Sequence, residues 1–467
     1  PGNPYLGVML PYTPLHLLLF QSAPYELLIM TSGNISGEPV CFKDDAAFQK
    51  LDDIADYILY HNREINTRVD DSVVRVLNKK IYPIRRSRGY VPLPVTYQHT
   101  HSTTAILATG GHLKNTFCLN RGGQFFLSHH IGDLENMETL SAYESGITLL
   151  EQMLAIQPTV VAHDLHPNYL STQYAVSRGL PCVAVQHHRA HVASCMVDNN
   201  LDGEVIGVAF DGTGYGDDGR IWGGEFFVGG LARLERIGHL EYVRIPGGDS
   251  AIADPWKCAL GYLYHAFGSD MNTADIFTDI APEKLALVQS MLTRNFNVYQ
   301  SSSAGRLFDA VAAIAGIRHS ISFEGQAAIE LEQACARVHN HAASDQFYPF
   351  DLVEQDAHFS VTVGPMVKRI VEQVITGHPI ESIAMSFHET IARVILDGCR
   401  YAQAKTGLHR VVLSGGVFQN MVLLNRVHAL LAAHDLTVYL HHQVPANDGG
   451  LSLGQAALAL ETLERSR

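Results

Sequence analysis

Val205-Ile206-Gly207-Val208-Ala209-Phe210-Asp211-Gly212-Thr213-Gly214-Tyr215-Gly216 is the stretch that decides the architecture of this chain. Its apolar half reads as a buried strand ending at Phe210. The carboxylate and glycines that follow read as a turn from Asp211 to Gly219, leading into a second strand from Ile221 to Val228. The same pattern occurs earlier, where Ala105-Ile106-Leu107-Ala108-Thr109-Gly110-Gly111 precedes His112-Leu113-Lys114-Asn115 and the runs Thr116 to Asn120 and Gln124 to Ser128. Two such strand, glycine turn and strand openings predict an α/β domain built from a duplicated lobe.

Between the two openings lies Gln186-His187-His188-Arg189-Ala190-His191, directly after the apolar run Leu180 to Val185. If this segment is helical, His187 and His191 share one face, and imidazoles four residues apart can close on one divalent ion. His188 and His191, three apart, form an alternative pair. Asp211 and the turn Pro445-Ala446-Asn447-Asp448-Gly449-Gly450 offer carboxylates. Two histidines with one or two aspartates suit zinc or iron and leave positions open for substrate oxygens. Further downstream, Val411-Val412-Leu413-Ser414 runs into Gly415-Gly416, and a helix follows Asn420. A nucleotide can lie close to backbone in such a strand, glycine turn and helix, although turns of this kind also occur without that role.

The 467 residues carry a net charge of −14, and no basic cluster is longer than Arg85-Arg86-Ser87-Arg88, which argues against a nucleic-acid partner. The seven cysteines are scattered without a Cys-x-x-Cys pair, which reads as reduced thiols in a cytoplasmic chain. Apolar runs such as Leu17 to Phe20 fall far short of the roughly 20 residues of a membrane helix, so no membrane association is expected. The chain starts at Pro1, which reads as a fragment or a processed product.

Residues 1–98 have a different texture, rich in proline and short β-type runs. Leu6 to Leu10 and Leu27 to Met30 read as strands, and Asp44 to Leu51 as a helix. Thr31-Ser32-Gly33-Asn34-Ile35-Ser36-Gly37-Glu38-Pro39 offers backbone N–H groups to an anion, with a plain polar turn as the alternative. The arginines of 85–88 suit phosphate or carboxylate. From Val91 to Thr104 no periodicity is visible, which predicts a linker between a domain of 1–98 and one of 99–467.

Thr31 to Pro39, Asp70 to Arg75 and Arg85 to Pro92, in this order and spacing, resemble the later half of a YrdC-like domain, the fold that makes carbamoyl-type adenylates from ATP. The paired openings are similar to those of actin-like (ASKHA, RNase H-like) ATPases. With the histidine pair, Gly305 to Ala310, Ser414 to Asn420 and Asn447 to Gly454, they resemble the metal-containing carbamoyltransferase branch of that superfamily. In the antibiotic and nodulation O-carbamoyltransferases the metal domain comes first. In the hydrogenase-maturation carbamoyltransferases, the HypF family, the YrdC-like domain precedes, as it does here. The resemblance is to the carboxy-terminal portion of that family.

The resemblance implies that carbamoyl phosphate and Mg-ATP yield carbamoyl adenylate and pyrophosphate. The carbamoyl group then passes to the C-terminal cysteine of a partner, HypE, on the way to the cyanide ligands of nickel-iron hydrogenase. It implies a tightly bound zinc or iron on His187, His191 and Asp448, with Asp211 as a fourth ligand or a support behind the others, and catalytic roles for Lys114 and Asp211, Lys114 as a phosphate contact in the first hairpin with a plain exposed lysine as the alternative. Gly212, Thr213, Gly214, Gly415, Gly416 and Asn420 would seat nucleotide in the metal domain. Ser32, Asn34, Ser72, Arg86 and Arg88 would lie near triphosphate or carbamoyl in the YrdC-like segment. Three competing readings remain: an O-carbamoyltransferase, a small-molecule kinase on the actin-like fold, and a nucleotide-dependent scaffold without catalysis.

Overall fold

A computed structural model describes residues 3–100, 102–271, 273, 276–336, 346–356 and 358–465. By contacts the chain divides into two compact units, 1–70 and 71–467.

The described part of the first unit holds two short helices. Pro14–Ser22 is capped by the Thr13 side chain, and Asp44–Leu51 opens on two acidic residues. The strands expected at Leu6 to Leu10 and Leu27 to Met30 do not form. A strand needs a ladder partner, and none stands beside them among the described residues. Their side chains lie open, Leu6 87% and Ile29 99% exposed, and no described residue of the unit is buried.

The second unit begins with a hairpin, β1 (Val73–Leu77) and β2 (Lys80–Arg85). It turns through Asn78 and Lys79, both at positive φ, as a two-residue turn of matching twist requires. This hairpin was expected with residues 1–98, yet its contacts lie further along the chain. The buried Tyr82 donates its hydroxyl to Phe418 O at 3.1 Å, and Asn447 Nδ2 donates to Ile84 O at 3.1 Å. The predicted linker also contributes structure: β3 (Val95–Thr96) pairs with a strand of the next sheet and buries Val95 and Tyr97. Two residues are too few for alternation to be read.

The first lobe adds β4 (Ile106–Ala108), β5 (Cys118–Arg121), β6 (Gln124–Leu127), β7 (Val160–Asp164) and β8 (Cys182–Val185), in the order β3-β6-β5-β4-β7-β8. In the second lobe come β9 (Val205–Tyr215), β10 (Ile221–Gly230), β11 (Arg233–Leu240), β12 (Val243–Pro246), β13 (Val298–Ser301), β14 (Leu352–Gln355), β15 (His358–Val361), β16 (Arg410–Ser414) and β17 (Thr437–Tyr439). Its central order is β11-β10-β9-β16-β17. Each lobe is therefore three antiparallel strands followed by two that add in parallel to the first, in one spatial order, third-second-first-fourth-fifth. The expected duplication is thus present as topology. The expected turn from Asp211 to Gly219 is shorter than read: β9 continues through the glycines to Tyr215 because β10 pairs with it as far as Ile221, across an irregularity between Trp222 and Gly224.

Strand β9 is buried on both faces, Ile206, Val208 and Phe210 in one core and Val205 and Ala209 in the other, which explains its unbroken apolar run. The helix His187–Asp198 packs against the closing helix Leu451–Arg465 where Gly454 meets Ala190. A Cβ at Gly454 would stand 1.8 Å from Ala190 O. That approach fixes Asp448, three residues before the helix, relative to the histidines. Gly454→Ala is expected to cost roughly 1–3 kcal/mol through forced separation of the helices. A lower urea midpoint together with weaker metal retention is the expected result, and an unchanged midpoint would refute the close-approach account.

Candidate metal centre

The segment after β8 folds as a helix because Gln186 caps it, its side-chain oxygen accepting from Arg189 N at 2.9 Å. His187 and His191 then fall one turn apart on the same face, both buried. Asp211 comes from β9, beyond its last apolar residue. Asp448 comes from the turn before the closing helix. One ligand atom from each of His187, His191, Asp211 and Asp448 lies within 4.8 Å of every other.

The geometry suits a small divalent ion. His187 Nε2 lies 3.4 Å from Asp211 Oδ2 and 3.7 Å from Asp448 Oδ1, while His191 Nε2 lies 3.5 and 3.4 Å from the same oxygens. A tetrahedral ion about 2.0–2.1 Å from its ligands separates them by about 3.3–3.4 Å. Both Nε2 atoms are buried without a hydrogen-bond partner, an arrangement that costs free energy unless something binds there. His188, the alternative, does not join the quartet. It takes Gln186 on Nδ1 at 3.2 Å and lies beside Trp222, and burial holds its pKa well down.

Two supports hold the ligands. Asp164, buried at the end of β7, accepts from His187 Nδ1 at 2.7 Å and from His166 N at 2.9 Å. A carboxylate behind an imidazole fixes the tautomer that turns Nε2 toward a metal. Asp211 Oδ1 accepts from Gly416 N at 2.7 Å, so the Ser414-Gly415-Gly416 turn positions a ligand. Gly214 is required beneath the pair, since a Cβ there would stand 2.5 Å from His188 Cε1 and 2.8 Å from His187 Cδ2. Sequence reasoning passed over Asp164, although an apolar strand ending in a carboxylate is the same signal that drew attention to Asp211.

The other sequence-predicted residues fall in several places. Gly212, Thr213 and Gly214 continue β9 past Asp211, and Gly212 O accepts from Ser303 Oγ. Lys114 pairs with Glu324, and Asp448 lies within its electrostatic reach. Asn420 caps the helix Met421–Ala432, its Oδ1 accepting from Leu423 N, and its amide meets His388 Nε2 at 2.8 Å. Ser72 Oγ donates to Arg88 O and accepts from Ser87 N; Arg88 lies 3.3 Å from Asp71; the buried Arg86 donates to Tyr90 O and Leu93 O. In the first unit, Asn34 Nδ2 donates to Ile35 O and Glu38 O, and Ser32 O accepts from Asn34 N. Ser32 and Asn34 thus organise a turn.

Charge in the quartet is set by proximity. Burial opposes ionisation of Asp448, but His187 outweighs it and lowers the pKa to about 2; Asp211 is held well below its usual range against burial by both histidines. Burial likewise disfavours imidazolium, yet Asp164 and Asp448 raise His187 well above its ordinary value, and Asp211 and Asp448 raise His191. The imidazoles therefore keep their protons to higher pH than free histidine, and a divalent ion must displace them. Metal affinity should fall as pH is lowered from about 8 to about 5.5, with roughly one to two protons taken up per ion released; a flat chelator-competition profile would contradict this. Asp164→Asn should weaken metal binding by about 10- to 100-fold with the fold retained, measured as metal content after dialysis against chelator, and wild-type retention would count against the support role.

Three family models match the chain. "Carbamoyltransferase, Kae1-like Domain, second subdomain" covers residues 207–455, "HypF Kae1-like domain" covers 101–198, and the Sua5/YciO/YrdC model, described as telomere recombination, covers 1–87. Among curated relatives, Carbamoyltransferase HypF2 of Cupriavidus necator is 38% identical over 99% of this chain and 61% of its own length. Carbamoyltransferase HypF of Synechocystis sp. is 36% identical over 97% of this chain and 60% of its own. The chain thus spans about three fifths of the length of these relatives. A crystal structure of full-length HypF in a phosphate- and nucleotide-bound form matches 99% of this chain and 72% of its own at 42% identity, with a TM-score of 0.93. With the Kae1-like models spanning both lobes and the quartet drawn from both, this chain belongs to the HypF family of carbamoyltransferases.

Proposed function

We propose that the chain carries the transfer half of a carbamoyltransferase of nickel-iron hydrogenase maturation, in which a carbamoyl group moves from carbamoyl adenylate to the C-terminal cysteine of HypE. The observation that carries the reading is the buried quartet of two histidines and two aspartates, placed beside glycine-rich backbone from both β9 and the turn after β16. A zinc or iron ion held there supplies Lewis acidity toward a carbonyl or phosphate oxygen. Asp164 orients His187, and Gly416 N–H orients Asp211. At Gly212 the nearest neighbour to a Cβ position is Arg306 Nη2 at 3.9 Å, which leaves room for a ligand beside the backbone there. Carbamoyl phosphate, ATP and Mg are the inputs of the preceding adenylation, assigned to the YrdC-like segment, in the cytoplasm.

Five of the chain's seven thiols are buried, which favours an external acceptor. Burial pushes Cys258 and Cys335 up to about 12, and Cys118 and Cys399 higher still, so none of these is a ready thiolate. A mixed anhydride hydrolyses readily, which favours formation and use within one protein. The nucleotide-bound form of the related structure supports a nucleotide site within this architecture.

The test places the chain in a protein of the relatives' full length and follows nucleotide products from ATP and carbamoyl phosphate with HypE present. AMP and pyrophosphate that depend on carbamoyl phosphate are expected. ADP alone would point to a kinase, and absence of turnover to a scaffold. Asp448→Ala is expected to abolish carbamoylation of HypE, at least 100-fold below the parent, because it removes a metal ligand; transfer persisting in that variant would sink the assignment.

A further inference from the structure

Arg306 is 8% exposed, yet its Nε and Nη1 have no partner among the described residues. It lies in the first turn of the helix Ala304–Ile314, whose start is pressed against Gly212: a Cβ at Gly305 would stand 2.7 Å from Gly212 Cα. Its remaining nitrogen, Nη2, sits 2.9 Å from Asp309 Oδ2 and 3.9 Å from the position a Cβ on Gly212 would take. A guanidinium, a helix N-terminus and the residue following the ligand Asp211 therefore meet at one point of the second lobe. From the first lobe, the turn that carries Lys114 reaches the same quartet, since a Cβ at Gly111 would stand 3.0 Å from Asp448 Oδ2, and Asp448 acts electrostatically on Lys114. Neither cation is unmasked. Arg306 has Asp309, and Lys114 is bonded across the cleft by Glu324, which also acts electrostatically on Arg306 and Asp309.

The two carboxylates differ in a way that matters. Asp309 is buried with Arg306, whereas Glu324 is 44% exposed by side chain and Lys114 33%. An exposed pair of this kind contributes little and is easily exchanged, while a guanidinium or ammonium on a phosphate forms stronger, charge-assisted bonds. We propose that Lys114 and Arg306 form a two-sided clamp for the phosphate of an adenylate bound at the metal centre, and that Glu324 is a built-in anion that occupies the clamp until the ligand displaces it. The inference rests on the adenylate chemistry proposed above and deepens it. It assigns Arg306 to the ligand and gives Glu324 the role of a competitor. A carboxylate tethered to the second lobe and bonded to a lysine of the first also ties the lobes together in the empty protein, so displacement couples ligand entry to release of that tie.

The experiment measures binding of AMP, with uncharged adenosine as control, to the metal-loaded chain at fixed ionic strength. Glu324→Gln removes the competitor and is expected to tighten AMP about fivefold while leaving adenosine unchanged. Arg306→Gln should weaken AMP by about tenfold or more, with Arg306→Lys recovering part of the loss. Because Arg306 is buried, its replacement can unfold the helix; Glu324 is exposed, and its variant is decisive by itself. Glu330→Gln, which removes another surface carboxylate paired with Arg318, should leave AMP binding as it was. AMP binding unchanged or weakened by Glu324→Gln, or tightened equally by Glu330→Gln, overturns the clamp while leaving carbamoyl transfer standing. Failure of the parent chain to bind AMP at all would overturn both.

Discussion

Two aspartates and two histidines brought within 4.8 Å in a buried cradle make an electrostatic demand that the surrounding structure must meet. Two carboxylates with oxygens this close repel strongly in a medium less polar than water, and each would lose solvation. A positive charge has to sit between them, as protons on the imidazoles or as a metal ion. The raised histidine pKa values and the lowered aspartate values are two faces of that demand. Asp164 adds a third carboxylate, directed at the far nitrogen of His187, and so makes the ring a better donor of its other lone pair.

The fold meets this demand by placing the ligands where its duplicated strands end. Asp164 closes β7, the histidines open the helix after β8, and Asp211 sits where β9 leaves its apolar core. Asp448 lies in the turn beyond β17. Both lobes use one strand order. The crossing of two helices at Gly454 and Ala190 then sets the distance between the last ligand and the first two. A metal site of this kind is a property of the packed lobes rather than of any one segment, which is why one substituted methyl group remote from the ligands can disturb it.

Much of this was legible in the sequence because it depends on short-range pattern. The four-residue spacing of His187 and His191 fixed a shared face, and the apolar run to Phe210 fixed a strand with a carboxylate just past its core. Where the sequence misled, the reason is tertiary. Glycines after Asp211 suggested a turn, but pairing with β10 keeps them extended to Tyr215. Val95 and Thr96 form a strand only because β6 lies beside them. Conversely, Leu6 to Leu10 has strand-like composition and, among the described residues, no neighbour to pair with. The partners of Lys114 and Arg306 were unreadable for the same reason, since Glu324 lies 210 residues from Lys114 along the chain.

Charge counting links the metal centre to its neighbours. A divalent ion on two aspartates is neutral and the pairs Arg306–Asp309 and Lys114–Glu324 are neutral as well, so Asp164 leaves the assembly with one negative charge. A site of this composition has no excess positive charge to attract an anion over long range, so it discriminates at contact. A single phosphate anion leaves that balance unchanged only if one internal carboxylate gives way. Asp309, buried one turn from Arg306 on the same helix and paired with it, cannot leave without stranding a charge. Glu324, exposed on a loop, can turn into water at small cost. The asymmetry between the two carboxylates follows from burial alone, and it gives the cleft one route by which an incoming anion can be accommodated without unmaking the core.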